Sequence, residues 1–348
     1  MSAASAEVAQ AASLAVAGHL AVQLGIQVGR ALTRFYRRLR HERIEDQLLT
    51  AQRLRMLQPE RERLLLAIDW TEWHHDLRLL VAAVVMGCRA IPVQGAAFSR
   101  THIPRSQNLR ETTFLRLLVH TLRTVEQTAV VLCERGFRRV RWLEHLLELR
   151  QGFVVRLVPE VMVTTGSGGG RLLRAWHLQP GQAQDLGVVP LRQDRAVQVR
   201  VVGVCAPGQH EPWWLATDLA DPLVEIVALY ARRMTIEEQF RETKGCRFGV
   251  RLEWTQCHTP QYLARLLLLV GIVLVLWTAV GHAVAEQTPA ARLPCKRKGP
   301  RLALVQVGMH YLRQLASQVA LNVAFLQQQL PSPQLRRFAW LQTAEAIS

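Results

Sequence analysis

Three acidic residues stand at positions where a carboxylate could hold a metal ion. Asp69 and Glu134 each close an apolar run typical of a buried strand, and Glu237 lies in a later helical segment. An acid anchored on such a strand has a fixed backbone, which suits a rigid metal ligand. Two divalent ions about 3.5–4 Å apart can clamp the attacking and leaving oxygens of a phosphodiester. The acids are therefore candidates for metal-dependent phosphodiester chemistry, although any one of them alone is more often a turn residue.

The segment YARRMTIEEQFRETKG, residues 230–245, surrounds Glu237 with other polar groups. Tyr230, Arg233 and Glu237 are spaced by three and four residues, which places them on one helix face, and Lys244 follows two turns further along. One face of the predicted helix thus carries groups that could bind a metal ion and DNA phosphates. The simpler alternative is an Arg–Glu salt bridge on a solvated helix, worth roughly a few tenths of a kcal/mol.

The elements that must position these residues follow from apolar periodicity. Residues 63–73 predict a strand that carries Asp69, and residues 129–137 predict a strand with Glu134 at its end. Further strands are predicted over 76–87 and 89–98, and helices over 108–127, 139–149 and 221–245. Residues 151–210 differ, because short alternating segments and the turn sequence TTGSGGG predict a β-rich insertion.

Composition limits the function classes. The chain has 348 residues, of which 49% are hydrophobic, and a formal net charge of +16. It is long enough for two or three domains, and its apolar content excludes wholesale disorder. The positive charge predicts a polyanionic partner, either nucleic acid or an anionic membrane surface. The six cysteines form no CxxC pair, so neither a zinc ribbon nor a redox pair is indicated, and we expect a reducing compartment.

Two segments keep a membrane alternative open. Residues 29–58 predict a basic amphipathic helix in which Arg37 and Arg38 are interleaved with apolar positions, and such a helix can lie on DNA, on a membrane or simply in solvent. Residues 266–281 form an uncharged run of 16 residues, slightly short for a bilayer of roughly 30 Å. We interpret this run as a buried core helix, with a membrane helix as the alternative.

Taken together, the motifs resemble a known family. The spacing Y-x2-R-x3-E-x6-K formed by residues 230–244 resembles the YREK signature of bacterial insertion-sequence transposases of the insertion-sequence-four type, which have a DDE active site. The stretches AIDWTEW, VVLCERGF, PWWLATDL and RLALVQVGMHYL are also similar to sequences of that family. The similarity extends over residues 30–315 or thereabouts.

The resemblance implies a fold and a reaction. The fold would be α/β, an RNase H-like mixed sheet flanked by helices, with a β-rich insertion and helical N- and C-terminal regions. The reaction would be cut-and-paste transposition, in which water attacks at the transposon end and the freed 3′-OH then attacks target DNA. The cofactor would be Mg²⁺ or Mn²⁺, as two ions, and the partners would be double-stranded DNA and a second copy of the chain in a synaptic homodimer.

The resemblance also implies residue roles. The metal ligands and catalytic residues would be Asp69, Glu134 and Glu237. The phosphate-binding residues would be Tyr230, Arg233 and Lys244, joined by Arg37 and Arg38 in a DNA-binding N-terminal remnant. Trp213 resembles a family Trp that stacks on a base flipped out during hairpin formation, a contact worth about 1–3 kcal/mol. Core packing is the alternative for the Trp213–Trp214 pair.

One position departs from the family pattern. The second acid is Asp in that family, whereas this chain reads CERGF with Glu134. Glutamate is one methylene longer, and Mg²⁺ demands near-ideal octahedral geometry. Misplacement by about 1 Å can cost on the order of 10²-fold in rate. The chain therefore uses either a D-E-E triad with a compensating backbone or an impaired site.

The expected organisation has five parts. They are a helical basic DNA-binding remnant (1–60), the first part of the catalytic core (61–150), the β-rich insertion (151–210), the second part of the core (211–285) and a helical C-terminal region (286–348). We expect a cytoplasmic enzyme of the bacterial nucleoid that does not enter a membrane. The alternatives are a DNA-binding copy without catalysis and a basic membrane-associated protein.

Overall fold

The architecture comes from a computed structural model. It describes residues 46–57, 63–73, 76–86, 89–100, 107–164, 169–192, 196–209, 211–237, 240, 259–287 and 304–317. Most of the predicted basic helix, including Arg37 and Arg38, and the motif residue Lys244 lie outside the described residues.

A mixed sheet of ten strands forms the centre of the described part of the chain. The strands are β1 (Leu64–Trp73), β2 (Leu77–Met86), β3 (Arg89–Ser99), β4 (Ala129–Cys133), β5 (Gly152–Leu157), β6 (Met162–Thr164), β7 (Gly170–Leu172), β8 (Ala183–Arg192), β9 (Ala196–Val204) and β10 (Trp213–Thr217). Their spatial order is β3-β2-β1-β4-β5-β10-β9-β8-β6-β7.

Strand direction identifies the core of the sheet. Strands β1, β4 and β5 run parallel, while β2 and β3 continue antiparallel from β1. This arrangement is an RNase H-like core, so the predicted fold class is confirmed. Strand β5 lies inside the range 151–210 that the sequence predicts as an insertion, yet it pairs with β4 as a core strand. The remaining strands of that range extend the same sheet.

Helices cover both faces of the sheet. They are α1 (Asp46–Met56), α2 (Gln107–Thr124), α3 (Val140–Glu148), α4 (Leu223–Ala231), α5 (Pro260–Gln287) and α6 (Leu304–Ser317). Apolar residues of α1, α2 and α3 pack on one face, and those of α4, α5 and α6 on the other. A strand buried on both faces needs a continuous apolar run, which explains the sequence before Asp69.

Alternation along β1 assigns each side chain to a face. Leu64, Leu66 and Ile68 belong to the core beneath α1, α2 and α3. Leu65 and Ala67 belong to the core beneath α4, α5 and α6. Because successive side chains point to opposite faces, Asp69 is directed towards α4 and the next residue, Trp70, towards α2.

The long apolar helix α5 contains the run 266–281. It is long and apolar enough to cross a membrane, but 75% of its most apolar window is buried inside the protein. Gly271 permits the close approach to the sheet, since a Cβ there would lie 2.5 Å from the Pro92 carbonyl oxygen. This burial favours the core-helix interpretation.

Helices α5 and α6 touch through two glycines. A Cβ on Gly281 would lie 1.9 Å from the Leu304 carbonyl oxygen, and a Cβ on Gly308 would lie 1.9 Å from that of Trp277. Backbone atoms cannot move aside as a flexible side chain can, so these positions require glycine.

The first prediction concerns Gly281→Ala. In an exposed helix this change stabilises by about 1 kcal/mol, but here the clash should lower the free energy of unfolding by about 1–3 kcal/mol. Urea denaturation measures the difference. Gly169→Ala is the control, because no atom lies within 4 Å of the added Cβ, and it should be nearly neutral. A more stable Gly281→Ala protein would contradict the close helix contact.

Candidate active site

Two parallel strands bring Asp69 and Glu134 side by side. The pairing of β1 with β4 ends at Ile68 and Cys133, so the two acids are the next residues on neighbouring strands. Asp69 lies within β1 rather than at its end, because β2 pairs with β1 as far as Trp73. Glu134 follows β4 directly and keeps an extended backbone, with φ −80° and ψ 176°.

The segment after α4 differs from the predicted continuous helix over 221–245. Helix α4 ends at Ala231, Arg233 lies in a turn, and residues 234–237 are helical again. The Arg233 N–H donates to the Tyr230 carbonyl at 2.9 Å, and the Ile236 N–H donates to the Arg233 carbonyl at 3.0 Å. These bonds span three residues instead of four and tighten the backbone. The turn directs the Arg233 side chain into the site.

The three acids converge on the guanidinium of Arg233. Its Nη1 donates to Asp69 Oδ2 at 3.1 Å, and its Nη2 forms an ion pair with Glu237. The same Nη2 lies 4.0 Å from Glu134 Oε2. The side chains of Arg233 and Asp69 are buried, whereas those of Glu134 and Glu237 are 40% and 46% exposed. The cluster is thus anchored inside and open to solvent on one side.

Burial and charge control the electrostatics of this cluster. The pKa of Asp69 is raised to about 6, chiefly by burial; Arg233 opposes this rise and the charge of Glu134 adds to it. Burial alone would lower the pKa of Arg233, but the neighbouring Tyr230 and the acids raise it. Asp69 Oδ1 also accepts the backbone N–H of Trp70 at 2.8 Å, which fixes the orientation of its carboxylate.

The aromatic candidates Tyr230 and Trp213 lie beside the acids but differ in how far they are buried. Tyr230 is 1% exposed, and burial raises the pKa of its phenol. Its ring meets Trp213 edge-on, with centroids 5.1 Å apart. Trp213 is half-buried on the side of α4, while Trp214 is buried in the opposite core. Core packing therefore explains Trp214, and Trp213 lies next to the site.

Arg156, for which the sequence predicted no role, lies near the same aromatic pair. Its guanidinium carbon is 5.8 Å from the Trp213 ring centroid, and its Nη2 is 3.4 Å from Glu211. It is on β5, and alternation directs it to the same face as Asp69 and Glu134. The one available signal was a single arginine within the apolar strand sequence FVVRL.

The donor set can be tested against a divalent cation. Carboxylate oxygens are the ligands that Mg²⁺ and Mn²⁺ prefer. Among the described residues, no group of three or more His, Cys, Asp and Glu side chains is arranged as a metal site as it stands. The guanidinium of Arg233 lies among the three carboxylates instead. A divalent cation at these oxygens would have to compete with Arg233 for them.

Comparison with known proteins identifies the class. The chain matches the family model described as "Transposase DDE domain" over residues 96–276, just over half of its 348 residues. The chain belongs to this family of DDE transposases. The matched segment includes Glu134 and Glu237 and begins after Asp69. The comparison with curated proteins gives no match.

Among solved structures, the chain is similar to Ciona intestinalis endonuclease V in complex with a 24mer DNA containing an inosine followed by a ribo-adenosine. The identity is 11%, the alignment covers 57% of this chain and 99% of that chain, and the TM-score is 0.32.

The second prediction concerns Arg233→Met. Removal of one partner of a buried ion pair leaves an uncompensated charge, so the free energy of unfolding should fall by about 3 kcal/mol. Addition of Asp69→Asn should recover part of this loss, because the two residues are in contact. Denaturant unfolding of the single and double variants measures both effects.

The neighbouring Arg232 provides the control. Its side chain is half-buried, and Arg232→Met should change stability by less than about 0.5–1 kcal/mol. Equal losses for Arg232→Met and Arg233→Met, with no coupling to Asp69, would contradict the convergence on Arg233.

Proposed function

We propose that this chain is a metal-dependent transposase that cuts DNA at transposon ends and joins them to target DNA by a cut-and-paste route. The observation that carries the proposal is the convergence of Asp69, Glu134 and Glu237 on one guanidinium in a chain of the DDE transposase family. The net charge of +16 supports a polyanionic partner.

Asp69, Glu134 and Glu237 would hold Mg²⁺ or Mn²⁺, as two ions. Bound divalent metal would activate the attacking oxygen and stabilise the leaving oxygen of the phosphodiester. The protein contributes rigidity at Asp69, whose strand is buried on both faces. It contributes access at Glu134 and Glu237, whose carboxylates reach solvent.

Arg233, Tyr230 and Lys244 would hold DNA phosphates near the cleaved end, as the YREK spacing suggests. If metal binding displaces Arg233 from the carboxylates, its N–H donors become free for DNA. A guanidinium can then bind two oxygens of one phosphate group in a bidentate manner. Arg37 and Arg38 would add phosphate contacts from the N-terminal region. Double-stranded DNA, at the transposon ends and the target, would be the partner.

Trp213 would stack on a base flipped out of the duplex. Its half-buried ring beside Arg156 and Tyr230 supports this role, because an aromatic face next to a cation suits both a base and its phosphate. The two ends would be joined by a homodimer, and the enzyme would act in the cytoplasm, at the bacterial nucleoid.

Glu134 would serve as the second acid of a D-E-E triad. Its carboxylate lies 4.0 Å from the Arg233 Nη2. The longer side chain is thus close to the guanidinium that the other two acids also contact. The alternative is an impaired copy that binds DNA without cutting it, since Asp is the usual residue here.

The third prediction tests the chemistry at Glu237. Glu237→Gln should abolish nicking of DNA that carries the inverted repeats flanking the gene, because the carboxylate charge needed for metal is lost. DNA binding, scored in parallel by gel shift, should remain. Glu225→Gln is the control, since it removes an exposed carboxylate from α4, and it should nick normally. Normal nicking by Glu237→Gln would remove Glu237 from the active site.

The fourth prediction compares Glu134→Asp with wild type in the same nicking assay. A functional D-E-E triad predicts that the shorter side chain lowers the rate, on the order of 10²-fold, because the carboxylate is displaced by about 1 Å. A rate above wild type would contradict the triad and favour the impaired copy.

A further inference from the structure

Glu111 is a buried acid that the proposed chemistry does not use. It lies in α2 and is 1% exposed. Glutamate is almost never buried to this extent unless it is paired. Its Oε1 accepts the indole N–H of Trp70 at 2.7 Å and the side-chain amide of Gln107 at 2.8 Å. Its Oε2 forms an ion pair with Arg139. Both carboxylate oxygens therefore have partners.

One partner leads directly to Asp69. Trp70 is the next residue on β1, and alternation sends its side chain to the face opposite Asp69. The Trp70 backbone N–H donates to Asp69 Oδ1 at 2.8 Å. A ring contact with Phe98, at 5.8 Å between centroids, further restrains the indole. A bond from Glu111 to this indole thus fixes the rotation of β1 at the point where Asp69 projects.

Another partner leads to Glu134. Arg139 is five residues after Glu134 and stands at the N-terminus of α3. The intervening turn is short, since the Phe137 N–H donates to the Glu134 carbonyl at 3.0 Å. Phe137 is buried and packs on Trp142, with ring centroids 5.1 Å apart. An anchor on Arg139 therefore limits the movement of the backbone that carries Glu134.

Stability alone does not account for this ion pair. The surrounding face of α2 is apolar, with Phe114, Leu115 and Leu118 buried. Only the Glu111 side of this pair is fully buried, since the Arg139 side chain is 30% exposed. Replacement of a buried charged group by packed apolar residues is often neutral or stabilising, because it avoids the desolvation of the charge. The carboxylate is instead well suited to orientation, since its two oxygens bind side chains from two distant segments, Trp70 on β1 and Arg139 at the start of α3.

We propose that Glu111 is a positioning residue that sets the spacing between Asp69 and Glu134 through Trp70 and Arg139. The inference rests on the proposed function, because it assigns a purpose to the spacing of two metal-binding acids. In this role Glu111 would touch neither DNA nor metal. It would act through strand β1, which carries Asp69, and through the turn that follows Glu134. Residues behind metal ligands commonly affect metal affinity by about 10–100-fold.

The test measures Mn²⁺ binding to the full chain by electron paramagnetic resonance, without DNA. Glu111→Gln should weaken Mn²⁺ binding about 10-fold or more. Trp70→Phe, which removes the indole donor and keeps an aromatic ring, should weaken it in the same direction. The double variant should lose less than the two single losses combined, because both changes break one linkage.

Leu118→Ala is the matched control. It truncates a fully buried side chain of the same helix without touching the ion pair. It should lower the melting temperature but leave Mn²⁺ affinity within about 2-fold of wild type, since the distances between the acids are kept. If Glu111→Gln does not fold, Trp70→Phe alone still decides the outcome.

The Asp69→Asn variant distinguishes failure of the positioning role of Glu111 from failure of the proposed metal site. If Asp69→Asn abolishes Mn²⁺ binding while Glu111→Gln and Trp70→Phe bind as wild type does, the positioning role is wrong and the proposed function stands. If wild type binds no Mn²⁺, or Asp69→Asn binds it equally well, the metal site itself is wrong. If Leu118→Ala loses as much affinity as Glu111→Gln, general loosening of α2 explains the effect and the positioning role is overturned.

Discussion

The site depends on one buried guanidinium that lies among three carboxylates and binds two of them directly. Arg233 binds Asp69 across 164 positions of sequence and Glu237 within its own turn, and it reaches Glu134 as well. Three carboxylates in one cluster would otherwise repel, and burial already raises the pKa of Asp69 to about 6. A cation is therefore a requirement of the folded site. The divalent metal of the proposed reaction would offer more charge to the same oxygens.

The sheet places this cluster through simple alternation. Odd-numbered positions of β1 face α4, so Asp69 meets Arg233, while Trp70 faces α2 and meets Glu111. Parallel pairing of β1 with β4 puts Glu134 at the same level. Two apolar cores hold these strands from both sides. The proposed function would thus use polar residues that lie where the pairing of two buried parallel strands ends.

Much of this could be predicted from local patterns. The apolar runs before Asp69 and Glu134 predict their strands, and the spacing of Arg233 and Glu237 predicts their pairing. The break of the helix at Arg233 carries no such signal, because no Gly or Pro marks it. The place of β5 in the core depends on parallel pairing with β4, which is not local. The role of Glu111 could not be predicted, because its partners Trp70 and Arg139 lie 41 and 28 residues away and only the fold brings them together.

The most direct test of a shared cation site is cleavage of the chain by bound iron. Fe²⁺ that takes the place of Mg²⁺, with ascorbate and peroxide, generates hydroxyl radicals that cut the nearest backbone. We expect cuts near residues 69, 134 and 237 together, all suppressed by excess Mg²⁺ and by Asp69→Asn. Cuts confined to one of these segments, or cuts that persist in Asp69→Asn, would contradict a single metal site held by all three acids.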